Sequence, residues 1–267
     1  MPTATLYSLS ALAALVPATV LAWRRRDGTP DAAFWLLLAV AVAGPLTWAW
    51  IQFAGGWRTG LAPALWTTIV ASLVVFAIVV ASSREAWRLA PLLLPYLVLV
   101  AIAATIWQNE PERPLAASAP AGWISVHIVL SVLTYAILTV CAIAGASAFL
   151  QERALKAKRP DMLTGLLPSL SAAEAVELRL LGVSAVVLGL GVLTGMATEF
   201  FERGQLLVLD HKTLFSLATL AVILGLLVAR QRSGLRGRRA ARLVLLAYLL
   251  LTFAYPGVKF VTDVLLA

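Results

Sequence analysis

The stretch WISVHIVLSVLTY, residues 123–135, decides how this chain must fold. The apolar run that it opens continues to Leu150 without a single Asp, Glu, Lys or Arg. A membrane-spanning helix needs about 20 consecutive apolar residues, and this run exceeds that length. The stretch therefore predicts a transmembrane helix, and it places His127 inside the first turns of that helix.

The composition of the chain extends this prediction to the rest of the molecule. Hydrophobic residues make up 61% of the chain and charged residues 13%, against about 45–50% and about 25% in soluble domains. One soluble core cannot hold this apolar excess, so we expect an integral membrane protein with membrane lipid around it. The net charge of +8 does not indicate a nucleic-acid partner, because the positive side chains lie between apolar segments, where they set topology.

The apolar residues fall into eight continuous segments, each about long enough to cross a bilayer. A membrane β-barrel would instead alternate polar and apolar residues. We therefore predict an all-α fold, a polytopic bundle of about eight transmembrane helices in a single domain, residues 1–267. The predicted segments are Thr5–Trp23, Phe34–Phe53, Ala64–Ser82, Leu89–Trp107, Trp123–Leu150, Leu178–Thr198, Thr213–Ala229 and Leu243–Val261.

The distribution of positive charge predicts the orientation. Of the 21 Lys and Arg residues, 16 lie in or beside the connections after segments 1, 3, 5 and 7. Cytoplasmic loops carry the excess of Lys and Arg, so both termini are predicted outside. The first segment is read as a retained helix, because Arg24, Arg25 and Arg26 follow it, whereas a signal peptide has its positive charge in front. The outer face holds Arg58, Arg113, Arg203, Lys212 and Lys259.

Local signals refine the later helices. Ser171-Ala-Ala-Glu174 predicts a capping box at the start of the sixth helix, and Pro160 is expected to end the fifth. Gly191-x-x-x-Gly195 allows either close helix packing or a flat ligand against a glycine face. Cys141 has no partner for an intrachain disulfide and is expected to be buried.

Motifs for catalysis are missing from the sequence. It contains no P-loop, nucleophile elbow, dinucleotide fingerprint or HExxH motif. No Asp or Glu falls in the middle of a predicted segment, which argues against a proton pump with a buried carboxylate relay. The chain is therefore predicted not to be an enzyme.

The two histidines are the candidate metal ligands. His127 shares a helix face with Ser131 and Tyr135, because residues four apart are stacked on one side. His211 opens the seventh segment on the same predicted outer face. Two imidazoles suit the axial positions of a heme, whereas zinc wants three or four protein ligands. Another metal, or no ligand at all, stays open from spacing and topology.

Several motifs resemble the cytochrome c assembly protein family, the CcsA/CcmC-type heme-handling membrane proteins. They cover the chain from about residue 122 to residue 267, and the first four helices match only in number and length. The closing part is similar to the YpjD/HemX-like branch. The motifs are WISVHIVLSVLTYA (123–136), LPSL (167–170), GVLTG (191–195), DHKTLFS (210–216) and GLRGRR (234–239).

The resemblance implies a bacterial inner-membrane protein that presents heme b at the periplasmic face for c-type cytochrome assembly. His127 falls on the family's first external ligand histidine. The sequence departs from the larger members at residues 204–209, where their tryptophan-rich WWD loop is replaced by GQLLVL. Their second external histidine and their transmembrane histidine have no counterpart near residues 258–263 and 228–230. His211 is then a candidate substitute ligand.

We therefore expect a heme-binding protein with His127 and His211 as axial ligands of the heme iron. Ser131, Tyr135 and Lys212 are expected to surround the heme or to contact its propionates. Assembly components or an apocytochrome are the expected partners. The alternatives are a non-enzymatic accessory or regulatory subunit of an assembly or transport complex, a b-type electron carrier with two histidine ligands, and, less favoured by the lack of intramembrane charge, a transporter.

Overall fold

The computed structural model describes residues 2–25, 28–53, 58–108, 113–114, 120–159, 161–206 and 208–261. Within these residues, eight helices are long and apolar enough to cross a membrane. The predicted all-α, polytopic membrane bundle is therefore confirmed. The helices are α1 (Pro2–Arg24), α2 (Ala32–Phe53), α3 (Leu61–Ser82), α4 (Ala90–Ile106), α5 (Ala121–Ala157), α6 (Met162–Leu166), α7 (Leu170–Arg203), α8 (His211–Ser233), α9 (Gly237–Thr252) and α10 (Val258–Phe260).

Short elements complete the fold between and after these helices. A 3₁₀ turn, Ala86–Leu89, precedes α4, and a π-helical turn, Phe253–Gly257, joins α9 to α10. Two two-residue strands, β1 (Arg58–Thr59) and β2 (Arg113–Pro114), pair antiparallel. This pair joins the connection after α2 to the connection after α4.

The starts of two helices differ from the prediction. The capping box predicted at Ser171 is wrong, because Ser169 caps α7 and its hydroxyl accepts from the Ala172 N–H at 3.4 Å. A capping box instead starts α6, where Asp161 and Thr164 bond each other's backbone N–H groups. The expected breaker Pro160 lies outside the described residues, and α5 ends at Ala157.

Helix α5 is the centre of the bundle. It packs along α7 and also against α9, α3 and α4, whereas α1 packs against α2 and α4. The reason lies in its sequence, because Ala136, Ala144, Gly145 and Ala148 are small and buried. Small side chains let neighbouring helices approach closely in a membrane, where apolar burial alone does not drive association. Cys141 is buried on this helix, as predicted.

The helices run alternately, so each end of the bundle collects a fixed set of residues. Ser8 Oγ lies 2.8 Å from Thr105 Oγ1, which places the start of α1 beside the end of α4. His127 Nδ1 lies 3.1 Å from Thr194 Oγ1, which places the start of α5 beside the end of α7. We call the end of the bundle that holds these two contacts the histidine end. The opposite end, where α8 finishes and α9 begins, is called the arginine end.

A buried ion pair joins α7 to α8 near the arginine end. The Arg230 guanidinium donates to the Glu177 carboxylate at 2.6 Å, and the two side chains are 8% and 1% exposed. Glu177 stands just outside the predicted segment Leu178–Thr198, but α7 begins earlier, so this carboxylate lies inside the bundle. The Cys141 thiol donates to the Glu177 backbone carbonyl at 3.4 Å, which ties α5 to the same point.

Removal of one partner of this ion pair is expected to destabilise the protein. Arg230→Gln leaves the Glu177 carboxylate buried without a cation, which costs about 3–5 kcal/mol for a buried pair. The free energy of unfolding of the purified protein in detergent measures this loss. Arg232→Gln, an exposed neighbour on the same helix, serves as the control and should change that free energy little.

The double variant Glu177→Gln/Arg230→Gln separates a charge effect from a packing effect. Two neutral amides at the same positions leave no buried charge, so most of the lost stability should return. Equal losses in the single and double variants would contradict the view that the unpaired carboxylate is the cause.

Candidate functional site

His127 lies two turns inside the histidine end of α5, between α5 and α7. Its ring rests on Gly195, where an added Cβ would stand 3.0 Å from the imidazole Cε1. Any larger residue at this position would push the ring away. The small-residue motif of α7 thus makes room for the histidine, in addition to any part that it plays in helix packing.

The hydrogen bonds around His127 favour one tautomer of the imidazole. Thr194 Oγ1 lies 3.1 Å from His127 Nδ1 and 3.0 Å from the carbonyl oxygens of Leu190 and Gly191. A threonine hydroxyl carries a single hydrogen, and donating it to a carbonyl leaves its oxygen to accept from Nδ1–H. The proton then sits on Nδ1, and the Gly191 backbone carbonyl is a further hydrogen-bond partner of the ring. A histidine held in this way presents the Nε2 lone pair to a ligand, as metal-binding histidines do.

A cavity of about 250 Å³ lies beside His127. Its wall combines apolar side chains with a short polar rim, which is typical of sites for flat, largely apolar ligands. Gly191 is buried, yet an added Cβ would meet no atom within 4 Å. The motif thus has an open glycine face at Gly191, which is compatible with a flat ligand, one of the two readings that the sequence allowed beside close helix packing. The other lining residues include Ser131, Thr134, Tyr135, Leu188, Val192, Met196, Thr198, Glu199, Asp210, Lys212, Thr213, Leu217 and Tyr255.

The predicted site residues do not all reach this cavity. His127, Ser131, Tyr135 and Lys212 line it, whereas His211 is exposed at the first position of α8 and is not part of the wall. Its two chain neighbours, Asp210 and Lys212, do line the wall. The structure thus brings the start of α8 to the histidine end beside α5, with His211 between two lining residues but not itself in the wall.

Asp210 fixes the start of α8. Its carboxylate accepts from the Thr213 N–H at 2.8 Å, as an N-cap residue does. Burial raises the pKa of this carboxyl. The bonds from Thr213 and the nearby Lys212 and His211 lower it, and their combined effect exceeds that of burial, so the pKa lies below its usual value. The carboxylate is therefore charged at neutral pH and already used as a cap.

Tyr135 closes the inner floor of the cavity. Its hydroxyl lies 3.1 Å from Thr252 Oγ1 and 3.2 Å from the Tyr248 hydroxyl, and Tyr248 in turn bonds the Tyr96 hydroxyl. The network ties α4, α5 and α9 together in the apolar interior. Tyr135 therefore lines the cavity while its hydroxyl is held by Thr252 and Tyr248.

The donor set limits the kind of metal site that can form. Among the described residues, no three His, Cys, Asp or Glu side chains lie together. Few of the ligands of a metal beside His127 would then come from these four residue types in the described part of the chain. Iron in a porphyrin meets this condition, because the macrocycle supplies four nitrogen ligands and leaves only axial positions to the protein.

Two residues of the site were not identified from the sequence. Thr194 lies between the two glycines of the motif, but a single sequence does not say which residue of α7 faces His127. Met196 lines the same cavity and carries a thioether, a known axial ligand of heme iron. Both residues fall in the predicted segment Leu178–Thr198, but only the packing of the helices shows that they border His127.

Comparison with known proteins agrees with the family resemblance of the sequence motifs. A family model described as "Cytochrome C assembly protein" matches residues 33–266. This match includes α2, α3 and α4, which lie before the motifs that carry the resemblance in the sequence. No solved structure matches the chain.

One relative matches over nearly the whole chain. It is 54% identical over 264 residues, covers 97% of each of the two chains, and is the "Uncharacterized 28.8 kDa protein in nifR3-like 5'region" of Azospirillum brasilense. The chain therefore belongs to the cytochrome c assembly protein family, and this membership supports a role in the biogenesis of c-type cytochromes.

Proposed function

We propose that this protein binds heme at its histidine end during the assembly of c-type cytochromes, with His127 as an axial ligand. The observation that carries the proposal is the hydrogen bond between His127 Nδ1 and Thr194 Oγ1 at 3.1 Å. This bond orients the imidazole and favours the tautomer with its lone pair on Nε2, and His127 lines a cavity. The chemistry of the wall suits a porphyrin, because it offers one nitrogen donor, a glycine face and apolar side chains.

The heme in this proposal is heme b, bound without a covalent link. Covalent attachment through a CxxCH motif is not available, because the chain has one cysteine, Cys141, and it is buried in the bundle. When bound, the heme supplies an iron that takes up and gives up an electron and open axial positions for ligands. Lys212 is exposed at the cavity and is suited to contact a propionate.

If heme is bound, two side chains could supply a second ligand to its iron. His211 remains the prediction from the sequence, and it needs its ring to turn from solvent towards the cavity. Met196 already lines the cavity next to Gly195, where His127 rests. Ser131 and Tyr135 shape the wall around the heme; the Ser131 hydroxyl donates to the His127 carbonyl at 2.8 Å.

We further propose that the chain catalyses no covalent chemistry of its own and acts by holding heme for a partner. The partner would be another assembly component or an apocytochrome. The YpjD/HemX-like branch remains our assignment within the family, since residues 204–209 carry no tryptophan. A bis-histidine electron carrier would differ by keeping heme at a fixed stoichiometry through repeated oxidation and reduction.

The size of the cavity favours a second candidate function, an accessory subunit without heme. The cavity measures about 250 Å³, whereas ligand sites usually measure about 300–1,000 Å³. A heme therefore needs the ends of α7 and α8 to separate. An accessory or regulatory subunit would use the same bundle for contacts with a membrane complex and leave this cavity closed.

Absorption spectra test the heme proposal. The detergent-purified protein, titrated with hemin and then reduced, should show a Soret band and the split α and β bands of a low-spin heme. His127→Ala should lose them, because the proposed proximal nitrogen is gone. Of His211→Ala and Met196→Leu, the variant that turns low-spin heme into high-spin heme identifies the second ligand.

Two results would contradict the heme proposal. The first is a wild-type protein that develops no Soret band with hemin, which would favour the accessory subunit. The second is a His127→Ala variant that binds hemin with unchanged spectrum and affinity.

Thr194→Val tests the role of the hydrogen bond to His127. The substitution keeps the shape of the side chain but removes the acceptor for Nδ1–H, so the heme affinity should fall about 10- to 100-fold. Thr198→Val is the matched control, because Thr198 lines the same cavity but donates only to the Thr194 carbonyl, at 2.9 Å. Equal affinities in Thr194→Val and wild type would show that this bond does not prepare His127.

We propose that the protein lies in a bacterial inner membrane with the histidine end facing the periplasm. The arginine end then faces the cytoplasm, in agreement with the excess of Lys and Arg there.

Labelling of introduced cysteines tests the orientation. Gln205 and Gln231 are exposed at the histidine end and the arginine end, so each can be replaced by Cys in a matched pair. A membrane-impermeant maleimide should label Gln205→Cys from the periplasmic side and Gln231→Cys only after the membrane is opened. The native Cys141 is buried and should stay unlabelled. The reverse pattern would overturn the proposed orientation.

A further inference from the structure

A second cavity, of about 470 Å³, lies at the arginine end, across the bundle from His127. Its wall carries five positive side chains and one carboxylate. The residues come from the end of α5 and the start of α9, and they are Glu152, Lys156, Arg236, Arg238, Arg239 and Arg242.

The start of α9 is held in place by carboxylates from two other helices. The chain turns into α9 through Gly234 and Gly237, whose φ angles are +64° and +63°. The Gly237 N–H donates to Glu174 Oε1 at 2.8 Å, and the Arg238 N–H donates to Glu152 Oε2 at 2.5 Å. These bonds fix the first turn of α9 against α5 and α7, so the arginines of that turn project from a defined position.

Among the described residues of the cavity wall, the single carboxylate, Glu152, already has partners. Glu152 accepts from the Arg238 N–H and pairs with Lys156 on its own helix. Among the described residues, no carboxylate pairs with Arg236, Arg239 or Arg242. The Nε of Arg238 is buried without a hydrogen-bond partner in the described part of the chain, and its guanidinium carbon lies 5.2 Å from the centre of the Phe149 ring.

Membrane topology accounts for the sign of these charges but not for their convergence. A cytoplasmic loop needs Lys and Arg on the correct side, and any spacing of them satisfies that need. Here the charges come from two helices and border one cavity, where they repel each other. A bound anion would offset this repulsion, and guanidinium groups match phosphate oxygens in paired hydrogen bonds.

The cavity lies at the height of the lipid headgroups in this topology. The apolar part of α9 begins at Leu243, directly after Arg242, so the arginines stand where the hydrocarbon region ends. Basic pockets between transmembrane helices at this level bind anionic headgroups.

We propose that the cavity at the arginine end binds a phosphate group carried by an anionic phospholipid headgroup or present as free phosphate. The ligand chemistry is a tetrahedral phosphate oxyanion, contacted by Arg239, Arg242 and Arg238. Occupation would offset the repulsion among the positive side chains at the start of α9. The inference does not depend on heme, since this cavity and the one beside His127 lie at opposite ends of the bundle.

The test uses the full chain in nanodiscs of phosphatidylcholine alone or with added phosphatidylglycerol. The thermal midpoint of unfolding should rise with phosphatidylglycerol, because a ligand that binds only the folded state stabilises it. Titration with short-chain phosphatidylglycerol should show binding that is about 30-fold weaker in Arg239→Gln/Arg242→Gln. The matched control is Arg159→Gln/Arg232→Gln, which removes the same charge from exposed residues outside the wall.

Inorganic phosphate distinguishes the two sources of the ligand. If phosphate alone raises the midpoint in phosphatidylcholine, and the wall variant abolishes the rise, the site takes free phosphate. If only the lipid acts, the site takes a headgroup, and both results support the proposal. Equal midpoints of the wild type in both lipids, without a response to phosphate, would overturn it even if the variants fail to fold. An equal loss of affinity in the wall variant and its control would also overturn it.

Discussion

Close contact along α5 is the constraint on which the rest of the structure depends. Inside a membrane the helices gain little from hiding apolar surface, so they associate where small side chains permit close packing. Ala136, Ala144, Gly145 and Ala148 give α5 that surface, and α3, α7 and α9 pack against it. The position of α5 then fixes both ends of the bundle. The cavity beside His127 forms where α5 meets α7 and α8, and the arginine-lined cavity forms where α5 meets α9.

At both ends of the bundle, a hydrogen bond between two helices fixes the position of a group. At the histidine end, a side chain of α7 holds a side chain of α5, since Thr194 accepts from His127 Nδ1. At the arginine end, Glu152 of α5 and Glu174 of α7 hold the backbone of α9. Each contact ties a group on one helix to a group on another helix. The buried pair of Glu177 and Arg230 adds a third fixed point between them.

Much of the fold could be predicted because membrane spans carry strong local signals. Each of the eight spans has its own apolar run, and the segment boundaries differ from the helices mainly at their ends. The predictions from sequence failed where another residue changed the outcome that a local sequence pattern indicates. Ser171 has the residues of a capping box, but Ser169 comes first and caps α7. Glu177 was left outside a segment because the apolar run starts after it, whereas Arg230 allows the helix to bury it.

By itself, the sequence determined an all-helical membrane protein of eight spans, with the starts of the helices that carry His127 and His211 at one end. These properties follow from the apolar run of each helix, which is a local feature, and from the alternating direction of successive helices, which follows from the number of spans. Only the tertiary structure decided which side chains border a common cavity. It placed Thr194, Gly195 and Met196 at the His127 site and left His211 exposed and outside the cavity wall. It also gathered Lys156 with Arg236, Arg238, Arg239 and Arg242. The physical reason is that the rotation of each helix about its axis depends on packing with distant helices, which the chain's own periodicity does not encode.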